Sequence, residues 1–358
     1  MNKIDENDFA NVLIAWYLTN KRDLPWRNTK DPYKIWLSEI ILQQTRVAQG
    51  LPYYLAFVEK FPTIDKLALA EENEVLRLWQ GLGYYSRARN LHACAKFIHH
   101  QLNNKFPRSY RELLTLKGIG PYTAAAIASF AYKEPEAVVD GNVMRVITRF
   151  FGMYDDISDN STQSKIREIC NRLISTENPD LFNQAIMEFG ALHCKPSQPM
   201  CGECPFAGGC IAYANQSQKE LPFKRAKIKA RTRFFHYLIW QQESLIYMKK
   251  RAKGDIWEGL FDLPMIETKE RIDFDSLKIY INNSEIFKNY VIFRTEIPEM
   301  KHILSHQVIY AKFFLAEIKL KEQVLEEPKE EEGFYSLKEI EALPKPVLIT
   351  NFLNKFLT

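Results

Sequence analysis

The chain has 358 residues, of which 46% are hydrophobic and 26% charged, with a formal net charge of +4. That length exceeds what one hydrophobic core usually serves and predicts two or three domains, while the composition excludes intrinsic disorder. The positive excess is compatible with a polyanionic partner, and the opening segment MNKIDENDFANVLIAWYLTNKRD has no apolar run long enough for a membrane span or secretory leader, so the chain is expected to be soluble and intracellular.

From Phe9 to about Ala214 apolar residues recur at the three-to-four spacing of packed helices. Asp31-Pro32 predicts a helix start, an N-cap acceptor followed by a residue that needs no intrahelical donor, and it opens YKIWLSEIILQQTRVAQ. Inside that helix Glu39 has Ile35, Trp36 and Leu42 as neighbours on one face, and a carboxyl group in such company should have a raised pKa and be able to give up a proton. Helices are expected next over EENEVLRLWQGL, SRARNLHACAKFIHHQL and SYRELLTL. Leu116 to Thr123 then forms a turn containing Gly118 and Gly120 before the helix of YTAAAIASFA. Such a turn lets a ligand come close to the backbone and points unpaired helix N–H groups outward, an arrangement that can hold a DNA phosphate. Asp140, in AVVDGNV, sits where an N-cap belongs for the helix NVMRVITRFF, and TQSKIREICNRLI and DLFNQAIMEFGALH follow as helices.

Cys194, Cys201, Cys204 and Cys210 form a C-x6-C-x2-C-x5-C loop directly after the last of these. In a reducing compartment four thiols this close are expected to converge on a metal centre, zinc or iron-sulfur, while Cys94 and Cys170, isolated on helices, read as core residues. Lys219 to Arg233 carries seven basic residues against one acidic, and residues 215–230 around Pro222 read as an exposed basic linker between a helical domain (1–214) and a second domain (231–358). The second domain has β-branched and aromatic runs, RFFHYLIWQ, SLIYMKK, NYVIFRTEI and HQVIYAKFFLAEI, alternating as half-buried strands do, which predicts an α+β fold. The acidic stretch Glu326 to Glu332 reads as solvated surface.

The cysteine spacing, the LKGIGPYT turn and the segments LSEIILQQT and VDGNV together resemble the helix-hairpin-helix DNA glycosylases of the endonuclease III and MutY group, and the likeness to the MutY type extends over nearly the whole chain. The resemblance implies an all-α glycosylase domain holding one 4Fe-4S cluster on the four cysteines, followed by a Nudix-like domain. It also implies excision of adenine opposite 8-oxoguanine or guanine. By the same resemblance Glu39 protonates adenine, Asp140 stabilises the sugar cation, and Tyr122 and Asn142 support the transition state. Trp26, Arg27, Leu42 and Gln184 would line the base pocket, Gln44 and Tyr84 would enter the duplex, Gly118 and Gly120 would hold backbone phosphate, and Ser305 and His306 would read the lesion strand. Strand-nicking relatives carry a Schiff-base lysine where this chain has Tyr122, and a phenol cannot form that imine, so hydrolysis without nicking is expected. That position and the second domain argue against an endonuclease III-like lyase. A non-enzymatic iron-sulfur regulator would leave Glu39 and Asp140 without a task. The chain departs from the family pattern at Lys117, usually proline, and at Leu304, usually phenylalanine. It has no G-x5-E-x7-R-E-x2-E-E box, so pyrophosphatase chemistry is not expected. The implied partner is double-stranded mismatched DNA, met by a monomer in the cytoplasm at the nucleoid.

Overall fold

Helix starts are written into the chain by capping residues, and a computed structural model, which describes residues 6–225, 230–284, 290–295, 297–318 and 331–356, places helices behind them. Asp31 accepts from the Tyr33 N–H with Pro32 in the first turn, Ser109 and Glu112 form a reciprocal capping box, and Asp140 accepts from the Val143 N–H. Of the acidic stretch, 326–330 lie outside the described residues, as do 226–229 of the basic one. No helix among the described residues is long and apolar enough to cross a membrane.

The chain divides into two compact units, Met1–Leu69 with Asn90–Ala226, and Ala70–Arg89 with Lys227–Thr358. In chain order the helices before the sheet are α1 (Glu6–Asn20), α2 (Pro32–Leu42), α3 (Val47–Lys60), α4 (Ile64–Ala68), α5 (Glu72–Leu78), α6 (Tyr85–Leu102), α7 (Tyr110–Leu113), α8 (Pro121–Tyr132), α9 (Gly141–Phe151), α10 (Asn160–Leu173), α11 (Pro179–Leu192) and α12 (Ile211–Ala214). Of these, α5 and the first residues of α6 belong to the second unit, a grouping that no composition shift in the sequence announces.

The first unit buries Phe9, Leu13 and Tyr17 of α1 against Val143, Ile147 and Phe150 of α9 and Phe182, Ile186 and Phe189 of α11. Cys170 belongs to this core and Cys94 is equally buried, as their isolation on helices predicts, and burial pushes both thiols up to about 12. Phe206 anchors the cysteine loop on the same core, its ring 4.6 Å from Phe9 and 5.3 Å from Phe189. A glycine in a helix interior costs about 1 kcal/mol relative to alanine, yet α11 has one at Gly190. A Cβ there would meet the Asn142 Cβ at 2.7 Å and its carbonyl oxygen at 2.8 Å, so the glycine is what lets the start of α9 lie against α11. The stretch read as an exposed linker is tied down as far as Arg225. Leu221 is buried, its carbonyl accepts from Arg149, the Phe223 carbonyl accepts from the Ile157 N–H, and Arg225 pairs with Asp156 and Asp159.

The second unit is built on an eight-stranded mixed sheet whose strands are β1 (Arg231–Gln242), β2 (Leu245–Lys250), β3 (Phe261–Asp262), β4 (Met265–Thr268), β5 (Tyr290–Phe293), β6 (Met300–Ile303), β7 (Gln307–Ile318) and β8 (Glu332–Ser336). The central pair, β1 and β7, is parallel, with Phe235 opposite Ala311 and Tyr237 opposite Phe313. The helices of this part are α13 (Phe274–Asn282), α14 (Leu337–Ala342) and α15 (Val347–Phe356). Leu277 and Ile281 of α13 cover Leu238, Ile292 and Phe314 on one face, while Phe352 of α15 stacks on Phe313, 3.9 Å between ring centroids, on the other. Because both faces are covered, β1 is buried continuously from Phe235 to Ile239, where alternation had predicted a half-buried strand.

Candidate active site

The expected base-pocket residues converge in the first unit. A cavity of about 520 Å³ is lined by Trp26, Arg27, Glu39, Leu42, Tyr122, Asp140, Asn142 and Gln184. Each is delivered by a separate local rule. Glu39 sits in the last turn but one of α2, and its position on the apolar face buries it to 5% exposure. Tyr122 follows Pro121 at the start of α8, which points its phenol back at α2, and its hydroxyl donates to Glu39 Oε2 at 2.6 Å. Asp140 caps α9 through Oδ1, while Oδ2 accepts from Asn142 Nδ2 at 2.7 Å. Trp26 is held in a short 3-10 turn, Pro25–Arg27, with its ring edge on Tyr54.

Electrostatics separate the carboxyl groups of this cavity. Burial pushes the Glu39 carboxyl up to about 7, against the pull of the Tyr122 bond and with a further push from Asp140, the direction its apolar neighbours predict. Burial also raises Asp140, but bonds from the Val143 N–H and from Asn142 oppose it. Sequence reasoning missed a third carboxylate, Glu188. Burial would raise it, yet bonds from Arg22 and Arg27 overcome that and hold it at about 2. Arg27 reaches it with both terminal nitrogens, at 2.9 and 2.7 Å, and Arg22 with its backbone N–H, Nε and Nη2. Arg145, also missed, lines the cavity and donates to Asn142 Oδ1 and to the carbonyls of Gly190 and Cys194. The signal for Glu188 was present in the sequence. Gln184, Met187, Glu188 and Ala191 recur at helical spacing on α11 and all face the cavity.

The glycine turn expected to meet phosphate lies between α7 and α8. Gly118 has φ +81°, in the left-handed region, and a Cβ on it would strike Asn90 at 2.9 Å, whereas Gly120 at the N-cap of α8 faces open space. Gln44 is exposed in a left-handed conformation, φ 54°, and stands outside the cavity. Tyr84 belongs to the second unit, 39% exposed, also left-handed. Its hydroxyl is hydrogen-bonded to Ser305, on the exposed turn between β6 and β7 that also carries His306. These residues, with Leu304, Asp255 and Trp257, line a second cavity of about 370 Å³. Tyr85 lines the same cavity and is buried.

Cys194, Cys201, Cys204 and Cys210 line one small cavity with Arg149 and His193. None is in a disulfide, and among the described residues no group of three or more His, Cys, Asp or Glu is arranged as around one metal ion. Four soft sulfur donors on a common cavity are a donor set that suits a thiolate-ligated metal group. Burial keeps Cys201, Cys204 and Cys210 raised as bare thiols, while the Arg149 guanidinium lies 3.4 Å from Cys194 Sγ, positive charge suited to a thiolate-ligated group.

A raised carboxyl is also a cost to the fold. The folded protein holds the Glu39 proton to about pH 7 whereas the unfolded chain releases it near 4.5, so stability falls as pH rises between those values. Glu39→Gln removes that loss, and its carbonyl still accepts from Tyr122. We predict that the variant is more stable than the parent at pH 8 by on the order of 3 kcal/mol in urea unfolding, with the difference closing as pH falls toward 4.5. A difference independent of pH would show that Glu39 is not raised.

Comparison with known proteins bears on the whole chain. Residues 37–172 match the model of the HhH-GPD superfamily of base excision DNA repair proteins, and residues 236–355 match the NUDIX domain. The protein named adenine DNA glycosylase of Buchnera aphidicola subsp. Baizongia pistaciae is 36% identical over 306 residues, 84% of each chain. Its namesake in Buchnera aphidicola subsp. Acyrthosiphon pisum is 32% identical over 351 residues, 96% of this chain and 97% of that one. Among solved structures, a thermostable thymine-DNA glycosylase is 28% identical with a TM-score of 0.54, covering 59% of this chain and 97% of its own. A likeness that spans both the helical and the Nudix-type regions at this identity is decisive, and the chain belongs to the adenine DNA glycosylase family of base excision repair enzymes.

Proposed function

We propose that this enzyme removes adenine opposite 8-oxoguanine or guanine from double-stranded DNA by hydrolysing the N-glycosidic bond. The observation that carries this reading is the buried Glu39 carboxyl at about 7, bonded to Tyr122 in a cavity that Asp140 also lines and that has room for a nucleobase. Breaking a purine–sugar bond requires a proton on the leaving base and negative charge beside the sugar cation, one neutral and one ionised carboxyl.

In this mechanism the adenine sits among Trp26, Arg27, Leu42 and Gln184. Glu39 gives its proton to N7, the C1′–N9 bond breaks, and adenine leaves neutral. The ionised Asp140, held by the α9 cap and by Asn142, stabilises the oxocarbenium-like sugar. Water adds at C1′ and its proton returns to Glu39. Tyr122 holds the Glu39 carboxyl in place and leaves no amine to form an imine, so the strand is not nicked. Unstacking a base costs a few kcal/mol, and Gln44 and Tyr84, exposed on left-handed backbone, are the groups we assign to enter the duplex. The Gly118–Gly120 turn takes backbone phosphate. Ser305 and His306 read 8-oxoguanine, with Tyr84 bonded beside them. Cys194, Cys201, Cys204 and Cys210 would hold one 4Fe-4S cluster, whose place is to shape the loop and not to break bonds. The chain acts as a monomer, in the cytoplasm at the nucleoid.

Protonated Glu39 predominates below about pH 7 and is lost above it, so single-turnover excision should fall with proton concentration beyond that point. Glu39→Gln should keep mismatch binding and lose more than about 100-fold in excision, and near-normal turnover would remove Glu39 from the mechanism. Anaerobically purified protein should be brown and hold about four irons per chain, whereas a colourless protein with one zinc would overturn the cluster. Replacing Ser305 and His306 together by alanine should abolish the preference for adenine opposite 8-oxoguanine over adenine opposite guanine, a loss of about 1–3 kcal/mol, and spare activity on the latter. Equal losses on both duplexes would mean that this turn serves only the fold.

A further inference from the structure

A carboxamide presents an acceptor on one side and two donors on the other, and half a turn exchanges them, so whatever fixes Gln184 decides what the cavity reads. Tyr17, on α1 and only 1% exposed, donates its hydroxyl to Gln184 Oε1 at 2.6 Å. Gln184 Nε2 makes no other hydrogen bond among the described residues, and Gln184 lines the cavity. If the amide were reversed, Nε2 would donate to the phenol oxygen and the hydroxyl proton would need another acceptor, and Tyr17 makes no second side-chain hydrogen bond among the described residues. Lys21 and Arg27 stand over the Tyr17 ring at 5.8 and 5.6 Å, and both are donors only. Glu188, one turn along α11, already accepts from three groups of Arg22 and from both terminal nitrogens of Arg27. Asp180, one turn back, pairs with Lys30 and makes no bond to Tyr17. The amide is therefore held one way round by the proton of the Tyr17 hydroxyl.

We propose that Tyr17 is a positioning residue that keeps the Gln184 N–H2 toward the base, so that the pocket accepts a purine with a bare ring nitrogen on its Watson–Crick edge and rejects one with an N–H there. The inference rests on the reading of this cavity as the adenine pocket, in which Glu39 occupies the N7 side and leaves the other edge to Gln184. Hypoxanthine is the discriminating probe. It keeps N7 but carries N1–H where adenine has a free lone pair.

The test is single-turnover excision of adenine and of hypoxanthine, each opposite 8-oxoguanine, by the full-length holoenzyme. Tyr17→Phe should lower the adenine-to-hypoxanthine rate ratio by about tenfold, the scale of one misdirected hydrogen bond, and Gln184→Leu by a similar factor. The double variant should go no lower than Gln184→Leu alone. An unchanged ratio in Tyr17→Phe beside a lowered one in Gln184→Leu overturns the role of Tyr17 and leaves the adenine pocket standing. An unchanged ratio in Gln184→Leu removes Gln184 from the pocket and the proposal with it. Equal loss on both bases in Tyr17→Phe marks a packing role only and overturns the proposal. Should Tyr17→Phe not fold, Gln184→Glu, which keeps an acceptor for Tyr17 but lacks the N–H2, must lower the ratio at least as far, and an unchanged ratio there overturns it equally.

Discussion

The Arg145 guanidinium is the tie on which the helical unit's site depends. From one turn inside α9 it donates to Asn142 Oδ1, to the Gly190 carbonyl of α11 and to the Cys194 carbonyl at the entry of the cysteine loop. Three pieces of chain distant in sequence are thereby held at one cation. Asn142, fixed on its oxygen side by Arg145, has only its N–H2 left to give, and gives it to Asp140. The Oδ2 side of that carboxylate is thus tied through Asn142 to one buried positive charge. Burial lowers the guanidinium, but with acceptors on every side it remains a cation.

The same logic of satisfied charge sorts the three carboxyl groups around the cavity. Glu188 receives five donated bonds and stays ionised far below neutral pH. Glu39 receives one, from a phenol, and burial lifts it to about 7. Asp140 lies between, desolvated but bonded on both oxygens. Identical functional groups thus acquire different protonation states from their donors, which is the usual way that one site holds an acid and an anion together. It also sets Arg22 and Arg27, two of the four arginines that line the cavity, against the single carboxylate of Glu188.

In the second unit a comparable network lies beneath the turn that carries Ser305. Arg233 is nearly buried and clasps Asp255 and Glu267, while Arg251 clasps Asp255 and Asp262. These bonds tie β1 to the segment between β2 and β3 and fix the floor of the cavity that Tyr84 and Ser305 share.

By itself the sequence determined what local rules and spacing encode. Caps at Asp31 and Asp140, the helical period to Ala214, the strand runs beyond, the four-cysteine loop and the apolar company of Glu39 are all written within a few residues of one another, because capping, amphipathicity and loop ligation are short-range effects. Tertiary structure alone decided the rest. Glu188 shares the helical stripe of Gln184 on α11, but its ionisation is decided only where Arg22 and Arg27, more than 160 residues away, reach it. The assignment of Ala70–Arg89 to the second unit, the continuous burial of β1 and the tying down of the presumed linker depend in the same way on partners that no local pattern names. Ion pairs and layer contacts join segments by their position in space, and spatial neighbourhood between distant segments leaves no period in a single chain.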